Sequence, residues 1–198
     1  MRKKSLLVFL VMAGVLGMVG AIPAAAAVGD QIVYECLGDI CLINVDGTGE
    51  TNLTNSPDWE EYDPAWSPDG TRIAFTSNNP ADNNADRNFE IFAVNADGSN
   101  VVQQTITSDQ FGDLQSYGPT WGPGGAEIAF EGWRGSFPQI IKVPSTGSGT
   151  ETVLTNPADF ASKFQPNWSA DGSKILFTWS LGQQDVFVMN PDGSNRST

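Results

Sequence analysis

Three segments of the chain share one order of apolar and polar positions without gaps, at 62–77, 117–132 and 164–179. Each contains an aromatic residue, a proline and a tryptophan, then a turn, then a run of isoleucine, any residue and phenylalanine. In the first copy the turn is Ser-Pro-Asp-Gly at 67–70, where proline presets φ and glycine accepts a positive φ. The pattern predicts a short tryptophan strand, a tight turn and a second apolar strand in each copy.

Two further elements follow these segments. An apolar strand that ends in a turn recurs at 38–47, 89–98, 138–147 and 184–193. A short closing strand recurs at 50–55, 103–108 and 151–156. Three of the turns contain Asp-Gly, which is a strong hairpin signal. Each unit is therefore predicted to be four antiparallel strands.

The spacing of the units predicts how they assemble. The tryptophans recur about every 50 residues, close to the length of one propeller blade. A four-stranded sheet this short cannot bury its own faces, so neighbouring sheets must stack with tryptophan and phenylalanine between them. We therefore expect an all-β chain that forms a partial β-propeller of three to four four-stranded antiparallel blades. The approximate units are 28–56, 62–108, 117–156 and 164–198.

The strand count predicts an incomplete ring. The first unit opens at 31–36 with a strand of the Ile-x-Phe type, and few residues follow Gly193. The count is fourteen strands, whereas a closed ring of four blades needs about 16. We expect the chain to be a fragment; if it is instead the whole gene product, its open strand edges should pair with another copy in a homo-oligomer.

The repeat resembles that of a known family. The segments W-S-P-D-G-x-x-I-A-F at 66–75 and I-F-x-V-N-x-D-G at 91–98 are similar to the repeat of TolB-type β-propellers. The copy at 117–132 departs from it, with Gly122 and Gly124 in place of serine and aspartate. The resemblance implies a scaffold that binds envelope proteins. Similar repeats also form the propellers of prolyl-oligopeptidase-like peptidases and some polysaccharide lyases, whose catalytic residues would lie outside this chain.

The first 27 residues have the pattern of a secretory signal peptide. Basic residues precede an apolar run from Leu6 to Ile22, and small residues up to Ala27 follow. The alternative is an uncleaved membrane anchor, because the run approaches the roughly 20 residues that span a bilayer. We expect cleavage, no membrane contact afterwards and a periplasmic or secreted protein.

Charge and composition narrow the function. The formal net charge is −13, so the surface repels nucleic acid and favours a protein partner. The chain has no histidine, which excludes Ser-His-Asp triads, Cys-His dyads and His-ligated zinc sites. Carboxylate-pair chemistry survives this test, but turn chemistry accounts for the repeated aspartates at 46, 69, 97, 171 and 192. We expect a protein that is not an enzyme and has no catalytic residues.

Two local features remain. Cys36 and Cys41 flank four residues between apolar runs and are predicted to form a disulfide across a hairpin. The loop at 78–88 contains the oxygen donors Asp82, Asn83, Asn84 and Asp86, which calcium prefers, but it lacks a regular calcium-loop spacing. We interpret it as a solvated loop, with a weak calcium site as the alternative, and expect no other cofactor.

Overall fold

The computed structural model describes residues 31–80, 87–107, 114–147 and 150–198. The predicted signal peptide at 1–27 lies outside the described residues. The same holds for the four oxygen-bearing residues of the candidate calcium loop, Asp82, Asn83, Asn84 and Asp86.

The described residues form four antiparallel sheets in which the strands follow chain order. The strands are β1 (Gln31–Cys36), β2 (Asp39–Asn44), β3 (Thr51–Asn52), β4 (Glu61–Trp66), β5 (Arg72–Ser77), β6 (Glu90–Asn95), β7 (Val102–Gln103), β8 (Gln115–Trp121), β9 (Glu127–Trp133), β10 (Pro138–Pro144), β11 (Thr152–Val153), β12 (Ser162–Trp168), β13 (Ile175–Ser180) and β14 (Gln184–Met189). One short 3-10 helix spans Pro157–Asp159. The all-β, blade-like fold predicted from the repeats is confirmed, and so is the count of fourteen strands within the described ranges.

Side chains of the turn aspartates hold the hairpins in place. Asp69 accepts hydrogen bonds from the Ser67 hydroxyl at 2.7 Å and from the Thr71 N–H at 3.0 Å. Equivalent bonds from neighbouring serines lower the pKa of Asp171 to about 2. The glycine-rich copy forms the same turn without these side chains, because the Gly125 N–H donates to the Gly122 carbonyl at 2.8 Å.

Three apolar clusters fill the spaces between successive sheets. Phe75 lies in the first, Phe130 in the second and Phe177 in the third, each at most 2 % exposed. Burying a side chain of this size contributes about 1.5–3 kcal/mol. Trp121 lies between the second and third sheets and donates its Nε1–H to the carbonyl of Ala65 at 3.0 Å, which links two sheets directly.

The first strands of the last three sheets lie next to one another. β4 contacts both β1 and β8, and β8 in turn contacts β12. We call β4, β8 and β12 the inner strands. They bring residues of different repeats together, and the candidate site lies along them.

Candidate functional site

Each inner strand is interrupted at the same place. The register with the neighbouring strand shifts after Tyr62, Tyr117 and Phe164. The next residue has a positive φ in every case, 53° at Asp63, 59° at Gly118 and 56° at Gln165. Glycine adopts this conformation freely, whereas other residues lose on the order of 1–3 kcal/mol there. The bulge displaces one backbone N–H of each inner strand from regular pairing.

Carboxylates of neighbouring sheets accept these displaced N–H groups. Glu35 on β1 accepts the Asp63 N–H at 2.9 Å. The Asp63 carboxylate accepts the Gly118 N–H of the next inner strand, and Glu131 on β9 accepts the Gln165 N–H of the one after. The three carboxylates therefore connect adjacent sheets, and each keeps further lone pairs for other donors.

The carboxylates also interact with one another. The surrounding protein raises the pKa of Asp63, and the neighbouring Glu35 carboxylate raises it further. Because Asp63 also has a solvent-exposed side chain, we expect solvent to reduce this effect. Burial, and then the charge of Asp63, raise the pKa of Glu131. Burial and the Glu131 carboxylate likewise raise the pKa of Tyr117.

Aromatic rings line the same place. The ring of Phe89 lies 5.7 Å from that of Tyr62 and 5.3 Å from that of Tyr117, between centroids. Both tyrosines are half-buried. We call the group formed by Glu35, Asp63, Glu131, Tyr62 and Tyr117 the acidic rim.

Exposed apolar side chains lie at the same end of the sheets as the acidic rim. This is where the β1–β2, β9–β10 and β13–β14 hairpins turn, and we call it the hairpin end. It carries Leu37, Trp133, Phe160 and Leu181, exposed to 98, 36, 71 and 66 %. The ring of Phe160 packs edge-on against that of Phe137 with centroids 6.4 Å apart. The hairpin end therefore combines negative charge with accessible apolar surface.

Two other charged side chains, those of Glu90 and Lys163, are enclosed between the sheets. Glu90 is fully buried and accepts hydrogen bonds from Thr105 and Thr107. Lys163 is also fully buried, with its Nζ 3.0 Å from the Asn156 carbonyl oxygen and 3.7 Å from an Asp159 oxygen. Burial lowers the pKa of Lys163. These groups fasten sheets and linkers and do not face solvent.

A shallow cleft of about 320 Å³ lies between the second and third sheets, at the end opposite the hairpin end. Its one charged lining residue, Arg72, donates to the Ser145 and Gly125 carbonyls at 3.0 and 3.1 Å and stacks on Trp121. Because its guanidinium is already engaged, the described residues that line the cleft offer no free charged group for a ligand.

Two groups of residues singled out by sequence can be located in the structure. Cys36 and Cys41 form the predicted disulfide, with their Cα atoms 5.8 Å apart. The repeated aspartates lie in turns, where their carboxylates bond the backbone two residues later. In the described part of the chain, no group of three or more acidic or thiol side chains is arranged to hold a metal ion. None of its helices is long and apolar enough to cross a bilayer.

The acidic rim was not predicted from the sequence. Glu35 and Glu131 occupy the same register position in β1 and β9, opposite Ile40 and Ile140. Because the two strands align in the sequence repeat, this shared position could have identified both glutamates as candidates for one site. Asp63, in contrast, corresponds to Gly118 and Gln165 in the other repeats, so no acidic pattern marks it.

Comparisons with known proteins identify solved structures with a similar fold and a relative with a similar sequence. No family model matches the chain. A TolB structure from Agrobacterium tumefaciens superposes with a TM-score of 0.67 and 22% identity, over 84% of this chain and 59% of that one. TolB from Acinetobacter baumannii superposes with a TM-score of 0.65 and 22% identity, over 84% and 40%. The chain has a TolB-like β-propeller fold.

The TolB-like chain also has a relative among the peptidases. The uncharacterized peptidase YuxL of Bacillus subtilis (strain 168) is 34% identical over 123 residues. The match covers 61% of this chain but only 17% of YuxL. The matched part of the chain thus spans less than two thirds of the length of each of these three proteins.

Proposed function

We propose that this chain is a protein-binding module of β-propeller type that acts outside the cytoplasm, in the periplasm or after secretion. The observation that supports it is the combination, at the hairpin end, of the acidic rim with exposed Leu37, Trp133, Phe160 and Leu181. Aromatic residues at the centre of a surface, with charge beside them, are typical of protein interfaces.

The same proposal holds that the chain itself does not catalyse a reaction. It has no histidine to serve as a general base. Glu35, Asp63 and Glu131 each accept a backbone N–H from a neighbouring sheet, which accounts for their positions without chemistry.

Export is supported by the disulfide between Cys36 and Cys41, because such bonds persist in oxidising compartments and are rare in the cytosol. Cells that produce the protein can be treated with a maleimide-polyethylene glycol reagent after denaturation, with and without prior reduction. We expect a mobility shift only after reduction. A shift without reduction would contradict export.

Binding is tested by photo-crosslinking in the source cells. Benzoylphenylalanine is placed at Trp133 or Phe160 of the full chain, and at Val45 as the control. Val45 is a matched control because it is 60% exposed but lies in the β2–β3 turn, at the opposite end of the sheets. We expect discrete protein adducts from the hairpin end alone. Equal adducts from Val45, or none at any position, would contradict a binding role for this surface.

A second function is supported by the likeness to YuxL. In this alternative the chain is the propeller portion of a larger peptidase, and the catalytic residues lie outside the sequence. An antiserum against the chain, combined with a fluorophosphonate probe for active serines, separates the two. A labelled band well above 21.2 kDa in source cells would favour the peptidase; an unlabelled band favours the binding module.

A further inference from the structure

The carboxylates of the acidic rim have no counter-ion among the described residues. The ion pairs found there join Arg134 to Glu151, Lys142 to Glu127, and Lys163 and Arg196 to Asp159. The remaining basic side chains, Arg72, Arg87 and Lys174, contact Trp121, Trp59 and Asn190. The rim thus keeps its negative charge uncompensated by these groups.

A buried hydroxyl beside the rim also lacks a partner. Thr76 on β5 lies opposite Ile91, which is the register position that Glu35 and Glu131 occupy on β1 and β9. Its side chain is fully buried, and its Oγ1 has no hydrogen-bond partner in the part of the chain that the structure describes. From this position the side chains of Glu35 and Glu131 reach the inner strand of the following sheet. We infer from the shared position that the Thr76 side chain is directed towards β8, where the Asp63 carboxylate accepts the Gly118 N–H. An unpaired buried hydroxyl is unfavourable by about 1–3 kcal/mol, which indicates a missing hydrogen-bond partner, and a hydroxyl can accept from a donor such as an N–H.

The aromatic rings suit the same kind of ligand. Tyr117 is close enough to Asp63 and Glu131 for their charges to raise its pKa, although burial is the larger cause. A guanidinium or ammonium group is attracted to the face of such a ring within about 6 Å of its centre. Carboxylates, a hydroxyl acceptor and aromatic faces together select an organic cation.

The spread of the carboxylates favours a long basic side chain over a metal ion. Glu35, Asp63 and Glu131 belong to three different sheets, and no metal-holding group of acidic side chains occurs in the described ranges. A planar guanidinium offers five donors in a fixed geometry and can bridge separated acceptors. We propose that the acidic rim binds an arginine or lysine side chain of a protein partner. This inference rests on the proposed protein-binding function and specifies the chemistry of the partner.

The test is an NMR titration of the full chain labelled with ¹⁵N. The probe is the peptide acetyl-Gly-Arg-Gly-Arg-Gly-amide, and its control carries citrulline, which keeps the shape of arginine without the charge. The amide signals of Asp63, Gly118 and Gln165 are direct reporters, because these N–H groups donate to the rim carboxylates. We expect them to shift with the arginine peptide and to stay in place with the citrulline peptide.

Two glutamates of the same strand provide matched variants. Glu131 lies near one end of β9 in the rim, and Glu127 lies at the other end, where it pairs with Lys142 at 2.9 Å. We expect Glu131→Gln to raise the Kd of the arginine peptide about fivefold, the upper end of the effect of losing one exposed ion pair. Glu127→Gln should change it less than about twofold. If Glu131→Gln fails to fold, Glu35→Gln, at an exposed position of the rim, replaces it.

Three results would overturn the inference. If the citrulline peptide binds as well as the arginine peptide, the positive charge is not what the rim recognises. If Glu127→Gln weakens binding as much as Glu131→Gln, the attraction to the acidic surface is diffuse. Alternatively, calcium chloride moves the reporter signals and the arginine peptide does not. In all three cases, protein crosslinks at Trp133 would still support the proposed protein-binding function. If instead the arginine peptide shifts the reporter signals as expected but no crosslinks form at Trp133, the proposed function is contradicted and the inference about arginine is not.

Discussion

Replacing Glu61 with glutamine removes a buried negative charge from the junction between the first two sheets. Glu61 is 2 % exposed, and its Oε2 has no hydrogen-bond partner among the described residues. Burial raises its pKa, and the Asp39 carboxylate across the junction raises it further. The equivalent positions on β8 and β12 hold Ser116 and Lys163. Ser116 accepts a hydrogen bond from the Arg134 guanidinium at 3.0 Å. Of the three junctions between successive sheets, the first therefore brings two acidic side chains, Glu61 and Asp39, close together without a basic side chain among the described residues.

The sign of the effect follows from the raised pKa. The folded state holds the proton of Glu61 more tightly than the unfolded state, where the value is near 4.5. The stabilisation from this proton is complete below that value and is lost as the pH rises through the folded-state pKa. At pH 8 a charged Glu61 leaves a buried oxygen unpaired, a loss of about 1–3 kcal/mol. Glu61→Gln should therefore raise the free energy of unfolding by about that amount at pH 8 and have little effect at pH 4.

Urea unfolding of the full chain, followed by tryptophan fluorescence between pH 4 and pH 8, measures this difference. Glu90→Gln is the matched control, because both oxygens of the buried Glu90 accept hydrogen bonds, one from Thr105 and one from Thr107. Glu61 also accepts from Thr54 and Ser56, but its Oε2 stays unpaired among the described residues. We expect this control to lower stability by about 1–3 kcal/mol, the opposite sign. If Glu61→Gln lowers stability at pH 8, or keeps the pH dependence of the unchanged protein, the reasoning about the first junction is wrong.

Three further changes test other parts of the fold by the same unfolding assay. Replacing Cys36 and Cys41 with serine should lower stability by no more than about 2 kcal/mol, because the closed loop is short; a larger loss would mean that the bond does more than staple one hairpin. Trp121→Ala should lower it by about 3–5 kcal/mol, since the ring fills the space between two sheets; a loss below 1 kcal/mol would contradict that packing. Lys163→Met should change it by less than about 1 kcal/mol, because Asp159 keeps its contact with Arg196; a loss of several kcal/mol would show that the buried pair is essential.

The strands and turns were predictable because neighbouring residues determine them. The Ser-Pro-Asp-Gly turn depends on Asp69 bonding residues two positions away on either side. The hairpin between Cys36 and Cys41 depends on the four residues between them, a sequence separation of five. Repetition reinforced both inferences, since one pattern read three times predicts the stacking of sheets as well as their strands.

The site was harder to predict because it depends on contacts between repeats. Asp63 and Glu131 meet only because inner strands of different sheets lie side by side. The positive φ at Asp63 has no sequence signal, since the residue before a proline usually extends. Buried Lys163 runs against the ordinary preference of lysine for the surface. The repeats predict the features that all copies share, whereas Asp63 and Lys163 each occur in one copy.

Glu61 and Glu131 show how one scaffold gives carboxylates different roles. Glu61 lies on an inner strand and Glu131 on the strand next to one, and both have a raised pKa caused first by burial. Glu61 is enclosed and has an unpaired oxygen, while Glu131 is partly exposed and accepts from Trp133 and Gln165. Glu61→Gln should therefore change the free energy of unfolding and leave peptide binding intact. Glu131→Gln should weaken peptide binding and leave the free energy of unfolding nearly unchanged. Because the two side chains share no hydrogen-bond partner among the described residues, their effects in a double variant should add. Strong non-additivity would mean that the junction and the acidic rim form one coupled unit.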